Sequence, residues 1–472
     1  MKKLTINTRV LHIFIIIGIL FFSLSLYMTY FELYGKQDII SSGYNRRLKA
    51  KEQDIQRGLI YDRQGVVLAD TDFKKGVSKR IYPHGRLYAH VIGYNSETYG
   101  KSMIEAQYND MLLSKNTLGV IGNISNLLKG DSKKGNNLSL TIDHKLQARA
   151  RELLGNNRGA IVAIEPNTGE ILAMVSTPDF NPNEAALKKD WNELSNSDNR
   201  ALLPRAISGL YPPGSTFKVV TAVAAIEKNL RSTTFEDKGS VTIDGKVFSN
   251  AGNKAYGTLD MTSAMAVSSN VYFAQLSEQI GAKDLVRVAE RIGINSPVPF
   301  DLPVKKSSIQ TTITNPTELA ATAIGQGKLL VTPFQMALMT AGIANEGVIM
   351  KPYLVKSVSN SSNDFVIDVT PTKELYSFTD RDTAGFVRDM MIEVVKKGTG
   401  KAAKTSKLTI AGKTGTAENE KSGDHAWFVG FAPADEPQIA IAIIIENQSK
   451  TGGQIAAPIA RKLMTQWISQ NQ

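Results

Sequence analysis

The chain contains no cysteine. That excludes a disulfide framework, a thiol nucleophile and a thiolate-held zinc or iron–sulfur centre. Histidine is scarce. His12, His84, His90, His144 and His425 are scattered through 472 residues with no His-Glu-x-x-His, so a multi-histidine metal site is not expected. No histidine stands out as the partner of a nucleophile either. Charged residues make up 21% and hydrophobic residues 42%, an ordinary globular balance that excludes a disordered or collagen-like chain. Long apolar runs are missing, with one exception. The formal charge is +11, which suits nucleic acid, an anionic membrane surface or an anionic polymer, and equally a plain solvated surface.

The exception is Val10 to Phe31, which holds no Asp, Glu, Lys or Arg. As a helix it spans about 30 Å of hydrocarbon. Lys2, Lys3 and Arg9 precede it, so the expected topology is a single pass with a cytoplasmic N-terminus and the remainder exported. A cleaved signal peptide is the competing reading. The bulky Tyr27-Met28-Thr29-Tyr30-Phe31 offers no small-x-small cleavage site, so an uncleaved anchor is favoured. Export also speaks against a nucleic-acid partner. Ile439 to Ile445 is too short to span and reads as a buried strand.

Four segments are expected: a cytoplasmic tail (1–9), the anchor (10–31), a small mixed region (35–137) and a large regular domain (138–472). Asp131 to Asn137 reads as a linker or surface turn. In the large domain Asp143 can cap a helix through Leu154. Gly159–Glu165 and Glu170–Ser176 form a hairpin around Pro166-Asn167-Thr168-Gly169. Helices are expected from Ser215, Thr262, Lys283, Thr317, Thr332 and Asp380. Strands follow over Lys407–Thr416, Ala426–Phe431 and Gln438–Glu446, and a helix over Ala456–Ser469 closes the chain. Strands at both ends of the domain imply one sheet with a helical insert, a mixed α/β fold.

Without cysteine or a partner histidine, serine activated by lysine is the remaining nucleophile chemistry. Tyr211-Pro212-Pro213-Gly214-Ser215-Thr216-Phe217-Lys218 places Ser215 after a turn and Lys218 three residues on, within reach on one helix face. Burial and a second cation would lower the Lys218 pKa and free it as a base. Ser-x-x-Lys alone arises by chance roughly twice in such a chain. Two further motifs add weight. In Ser268-Ser269-Asn270, Ser268 can relay a proton and the Asn270 amide can pair with a peptide. In Lys413-Thr414-Gly415-Thr416, Lys413 adds charge, Gly415 admits a close substrate backbone, and Thr414 and Thr416 can bind a carboxylate. Lys450-Thr451-Gly452 is a second such triplet, but no strand follows it, so it is expected to be a plain turn.

In this order the three motifs resemble those of penicillin-binding proteins and class A β-lactamases. The whole chain resembles a class B penicillin-binding protein, a monofunctional peptidoglycan transpeptidase of the compact Gram-positive type. Arg57-Gly58-Leu59-Ile60-Tyr61-Asp62-Arg63-Gln64-Gly65 is similar to the RGxIxDRxG signature of the N-terminal pedestal. Ala323-Ile324-Gly325-Gln326-Gly327 and Trp427-Phe428-Val429-Gly430-Phe431-Ala432-Pro433 are similar to later family segments. Gly100 to Glu105 follows the usual G-x-x-G-x-E pattern only loosely.

The resemblance implies a five-stranded antiparallel sheet flanked by helices, a helical subdomain, a pedestal and one transmembrane helix. It implies that Ser215 attacks the D-Ala-D-Ala carbonyl of a peptidoglycan stem peptide, with Lys218 as base and Ser268 and Lys413 as a second proton route. Asn270, Thr414, Gly415 and Thr416 would bind the substrate or a β-lactam, and the N–H groups of Ser215 and Thr416 would form the oxyanion hole. No metal or cofactor is implied. The implied partner is a lipid-linked glycan polymerase of the shape–elongation–division–sporulation family. A D,D-carboxypeptidase, a β-lactamase-like hydrolase and a β-lactam sensor or scaffold are the alternatives.

Overall fold

The computed structural model describes residues 8–31, 52, 54–74, 77–114, 134–362, 366–368, 374–418 and 423–471. Most of the expected cytoplasmic tail, the first residues of the small region and Asp131–Lys133 of the expected linker lie outside these.

Helix α1 (Thr8–Tyr30) leaves its apolar side chains exposed from Val10 onward, the surface expected of a helix whose solvent is lipid. Among the described residues it is the one helix long and apolar enough to cross a membrane. The small region contributes β1 (Ile60–Tyr61), β2 (Val67–Lys74) and β3 (Val77–Ile81). The β1–β2 turn is built by Asp62, whose Oδ1 accepts from the backbone N–H of Gln64 at 2.8 Å and of Val66 at 2.7 Å. Beside it lies a buried ion cluster. Glu105 accepts from Arg57 Nε and Arg80 Nε, each at 2.6 Å. Burial pushes the Glu105 carboxyl up, but the two guanidiniums outweigh it and hold the group below the usual range. Removing the carboxylate would strand two buried cations at a cost of about 3–5 kcal/mol. Met103 stands where the loosely matched pattern has its second glycine, and it takes the left-handed φ of 53° that glycine adopts readily.

The chain continues through β4 (Asn137–Leu140), α2 (His144–Leu154), β5 (Gly159–Ile164), β6 (Ile171–Thr177) and α3 (Glu184–Asn196). The Asp143 cap is present, its Oδ1 2.8 Å from Leu146 N. Helix α3 was not expected; its charged sequence buries only Leu187 and gives little apolar periodicity. Next come α4 (Lys218–Glu227), the short strands β7 (Phe235–Asp237), β8 (Ser240–Ile243), β9 (Lys246–Ser249) and β10 (Gly257–Leu259), then α5 (Met261–Val267), α6 (Asn270–Ile280), α7 (Ala282–Arg291), α8 (Pro316–Ala323) and α9 (Pro333–Ala344). The chain goes on through β11 (Val355–Ser359), β12 (Val366–Asp368), α10 (Arg381–Lys396), β13 (Ala411–Ala417), β14 (Asp424–Ala432), β15 (Ile439–Gln448) and α11 (Gly452–Gln470), with a short two-stranded pair, Val348–Met350 and Glu374–Ser377, beside α9.

The central sheet has five antiparallel strands in the order β13-β14-β15-β5-β6. Alternate residues serve opposite cores. Val162, Ala442, Ile444, Trp427 and Val429 join the core under α4, α6 and α9. Ile161, Ile441, Ile443 and Phe428 join the core under α2 and α11. Both faces are covered, which is why Ile439–Ile445 is apolar at every position. The strand expected from Lys407 begins only at Ala411. Lys407 and Thr409 are not buried, and among the described residues the segment makes a single backbone bond to the chain beyond β14, Ala434 N to Thr409 O at 2.9 Å.

A second sheet runs β12-β11-β4-β1-β2-β3. β4 pairs in parallel with β1 and antiparallel with β11, so the boundary expected at 137/138 falls inside a shared strand. The β1–β2 turn is also fastened to the large domain. Asp62 Oδ2 accepts from His144 N at 3.1 Å, Gln64 Nε2 donates to Asp143 Oδ2 at 3.0 Å, and Arg63 pairs with Glu170 at 2.8 Å.

Candidate active site

Ser215 lies in a tight 3-10 turn, Gly214–Phe217, that runs directly into α4. The turn is pinned from several sides. Tyr211 exchanges backbone hydrogen bonds with Val331 at 3.0 and 2.8 Å. Trp427 Nε1 donates to Pro212 O at 3.1 Å, and Tyr211 OH donates to Glu446 at 2.6 Å. Gly214 N donates to Gly325 O at 2.9 Å. Gly214 has φ of 54°, and a Cβ there would meet Thr416 O at 2.6 Å. These contacts bring the turn against edge strand β13 and leave Ser215 partly open to solvent.

The three motifs meet here. Lys218 and Lys413 are fully buried. Lys218 Nζ donates to Ser268 O at 2.8 Å and to Asn270 Oδ1 at 2.7 Å, and lies 3.5 Å from Ser268 Oγ. Lys413 Nζ donates to Ser268 Oγ at 2.7 Å and to Thr414 O at 2.9 Å. Burial, and then the Lys413 charge, push Lys218 well below the usual ammonium range, against a smaller upward pull from Asp237. Burial brings Lys413 down to about 7. Lys413 can therefore exchange a proton near neutral pH, and Lys218 gives up its proton more readily than an ordinary lysine.

Three expectations change in detail. Lys218 was expected to turn to Ser215 Oγ. Its amine instead donates to Ser268 O and Asn270 Oδ1. The helix expected from Thr262 breaks at Ser268, which takes a left-handed conformation (φ 61°, ψ 40°) between α5 and α6. Gly415 was expected to admit substrate. A Cβ at Gly415 would meet Thr216 Cγ2 at 3.0 Å and Pro213 O at 3.1 Å, so the space it leaves is occupied by the Ser215 turn. Thr414 and Thr416 share the strand face opposite Lys413, as the two-residue period requires. The Thr414 hydroxyl bonds Thr399 Oγ1 at 2.6 Å.

The second Lys-Thr-Gly is a helix start rather than a plain turn. Thr451 caps α11 in a capping box with Gln454, and Gly452 packs so closely that a Cβ would lie 2.0 Å from Trp427 O. Sequence reasoning passed over Asp237, Asn250 and Thr399, all of which bond the motif residues. A single Asp or Asn in a polar hairpin carries no periodic or spacing signal. The motif residues come from α4, the α5–α6 junction and β13, and the sheet order is what joins them.

Known proteins are similar to this chain. The penicillin binding protein transpeptidase domain matches residues 159–465, and the penicillin binding protein A dimerisation domain matches residues 57–138. Peptidoglycan D,D-transpeptidase PbpA of Mycolicibacterium smegmatis is 32% identical over 96% of this chain and 98% of its own length. Peptidoglycan D,D-transpeptidase MrdA of Acinetobacter baumannii is 33% identical over 82% of this chain and 66% of its own length. The structure of penicillin-binding protein A from M. tuberculosis as a ceftriaxone acyl-enzyme complex matches with a TM-score of 0.83 at 30% identity, over 88% of this chain and 99% of that one. Fold, motif order and relatives agree, and the chain belongs to the class B penicillin-binding proteins.

Proposed function

We propose that this chain is a serine-type peptidoglycan D,D-transpeptidase that cross-links stem peptides and is acylated by β-lactams. The observation that carries the reading is the convergence of two buried, pKa-depressed lysines on Ser268 beside the Ser215 turn. Ser215 Oγ attacks the carbonyl between the last two D-alanines, and its proton passes to neutral Lys218. The tetrahedral oxyanion is held by the N–H groups of Ser215 and Thr416. The amide C–N bond breaks, and the departing D-alanine nitrogen takes a proton delivered through Ser268 and Lys413. An acceptor amine from a neighbouring stem peptide then attacks the Ser215 ester. It loses a proton to the same relay and restores the hydroxyl. Asn270, anchored by Lys218 on one side and Ser249 O on the other, keeps one amide hydrogen for the donor peptide. Thr414 and Thr416 are assigned to the terminal carboxylate, and Gly415 to the close fit of the Ser215 turn between them.

The basic residues ahead of α1 support a cytoplasmic N-terminus, with the catalytic domain outside the membrane. Residues 35–137 would act as a pedestal that carries residues 138–472 above the bilayer and meets a membrane-embedded glycan polymerase.

The test is intact-mass analysis of the full chain in detergent micelles with penicillin, for the native protein and Ser215→Ala. A long-lived adduct on the native form alone is expected. A rapidly lost adduct would indicate a hydrolase, and no adduct would overturn the reading.

A further inference from the structure

We propose that Asp237 is a positioning residue for the reaction: with Asn250 it holds the Ser268-Ser269-Asn270 turn in register, and its buried negative charge acts on Lys218. The proposal rests on the serine–lysine reading above.

Asp237 ends β7 and is 1% exposed. Its Oδ2 accepts from Ser269 Oγ at 2.5 Å, its Oδ1 accepts from Gly239 N at 2.9 Å, and Asn250 Nδ2 lies 2.8 and 2.9 Å from the two oxygens. All of these donors are neutral. They satisfy the carboxylate but leave its charge directed at its surroundings, an arrangement that is costly in a protein interior unless cations lie nearby. The active-site amine on which this charge acts is Lys218.

The same groups fix the turn. Ser269 Oγ donates to Asp237 Oδ2 and accepts from Tyr272 N at 2.9 Å. Asn250 Oδ1 accepts from Asn270 N at 2.8 Å and Val271 N at 3.2 Å. The first three N–H groups of α6 are thereby paired by two side chains that Asp237 orients. Ser268, two residues before Asn270, is held left-handed, a conformation that costs a non-glycine residue about 1 kcal/mol. That conformation aims Ser268 O and Asn270 Oδ1 at Lys218 Nζ. Asp237 therefore acts on Lys218 by two routes, through the turn and through space.

The charged groups facing Lys218 are Lys413 from β13 and Asp237 from β7. Tyr256, before β10, also feels Asp237 and is pushed up, first by burial and then by that charge. The carboxylate opposes the downward push on Lys218, so its removal lets Lys218 deprotonate at lower pH.

The experiment measures the rate of Ser215 acylation by a fluorescent penicillin between pH 5 and 10. It uses full-length protein in micelles as native, Asp237→Asn and Ser269→Ala forms, with thermal melts to confirm folding. Asp237→Asn should move the acid limb of the profile to lower pH. It should also lower the plateau rate by about 10- to 100-fold. Ser269→Ala keeps the charge and loosens the turn, so it should lower the plateau and leave the limb in place. An unmoved limb in folded Asp237→Asn overturns the electrostatic role. A native plateau in Ser269→Ala overturns the positioning role, and that variant decides the point if Asp237→Asn does not fold. Failure of the native protein to be acylated would count against the serine–lysine reading instead.

Discussion

Lys413 Nζ donates to Ser268 Oγ at 2.7 Å, from the edge strand of the sheet to the junction of two helices in the insert. Lys218 reaches the same oxygen at 3.5 Å. One hydroxyl thus stands between two amines whose charged forms burial disfavours, and the site is a relay rather than an isolated nucleophile–base pair.

Replacing that hydroxyl tests the relay. Ser268→Ala leaves Ser268's backbone carbonyl and Asn270 to hold Lys218, so the fold should survive. Acylation by penicillin should fall by about 100-fold, the usual scale for losing a positioned proton-transfer group. Alanine pays for the left-handed backbone and glycine does not, so Ser268→Gly serves as the control. Stopped-flow acylation rates should fall in both variants. A native rate in either would remove Ser268 from the relay.

Lys413 gives a prediction in stability. Burial lowers its folded pKa to about 7, against an ordinary value near 10.5. Below pH 7 folded and unfolded chains both carry the proton. Between pH 7 and about 10.5 the unfolded chain binds more protons, so folding stability rises with pH across that window. Lys413→Met has no such group and should lack this increment. Melting temperatures of the two proteins at pH 7 and pH 10 make the comparison. The native protein should gain on the variant at the higher pH, and parallel curves would show that Lys413 titrates normally.

Much of this architecture is legible in the chain because its signals are local. The Pro166–Gly169 turn, the Asp143 and Asp380 caps and the apolar run of β15 each specify their element through neighbours a few residues away. The motif serines and lysines were recognisable by type and spacing, and the structure brings Ser215, Lys218, Ser268, Asn270 and Lys413 together. What could not be read depends on long-range pairing. β4 shows no preference for β1 over β11 in its own four residues, yet it joins both. The choice of Lys218 between Ser215 and Asn270 depends on where α6 begins, and that depends on Asp237. Gly415 looked like a substrate feature because the turn that fills its space comes from 200 residues earlier on the chain.

Gly325 is the clearest such dependence. It follows α8 with φ of 80°, and a Cβ there would stand 2.0 Å from Gly214 O and 2.6 Å from Gly214 C. Those are backbone atoms of the residue before Ser215, so no side chain can yield. Gly327 provides the comparison. Its φ is 74°, but a Cβ would meet nothing nearer than Ala321 Cβ at 3.7 Å. Gly327→Ala should therefore cost only the left-handed backbone term, about 1 kcal/mol, with acylation near the native rate. Gly325→Ala carries the same term and a clash in addition, and relief of the clash must displace the nucleophile turn. Its acylation rate should fall by about 100-fold or more, because a displacement near 1 Å is enough for that loss. Equal acylation in the two variants would show that the Gly325 segment does not set the position of Ser215.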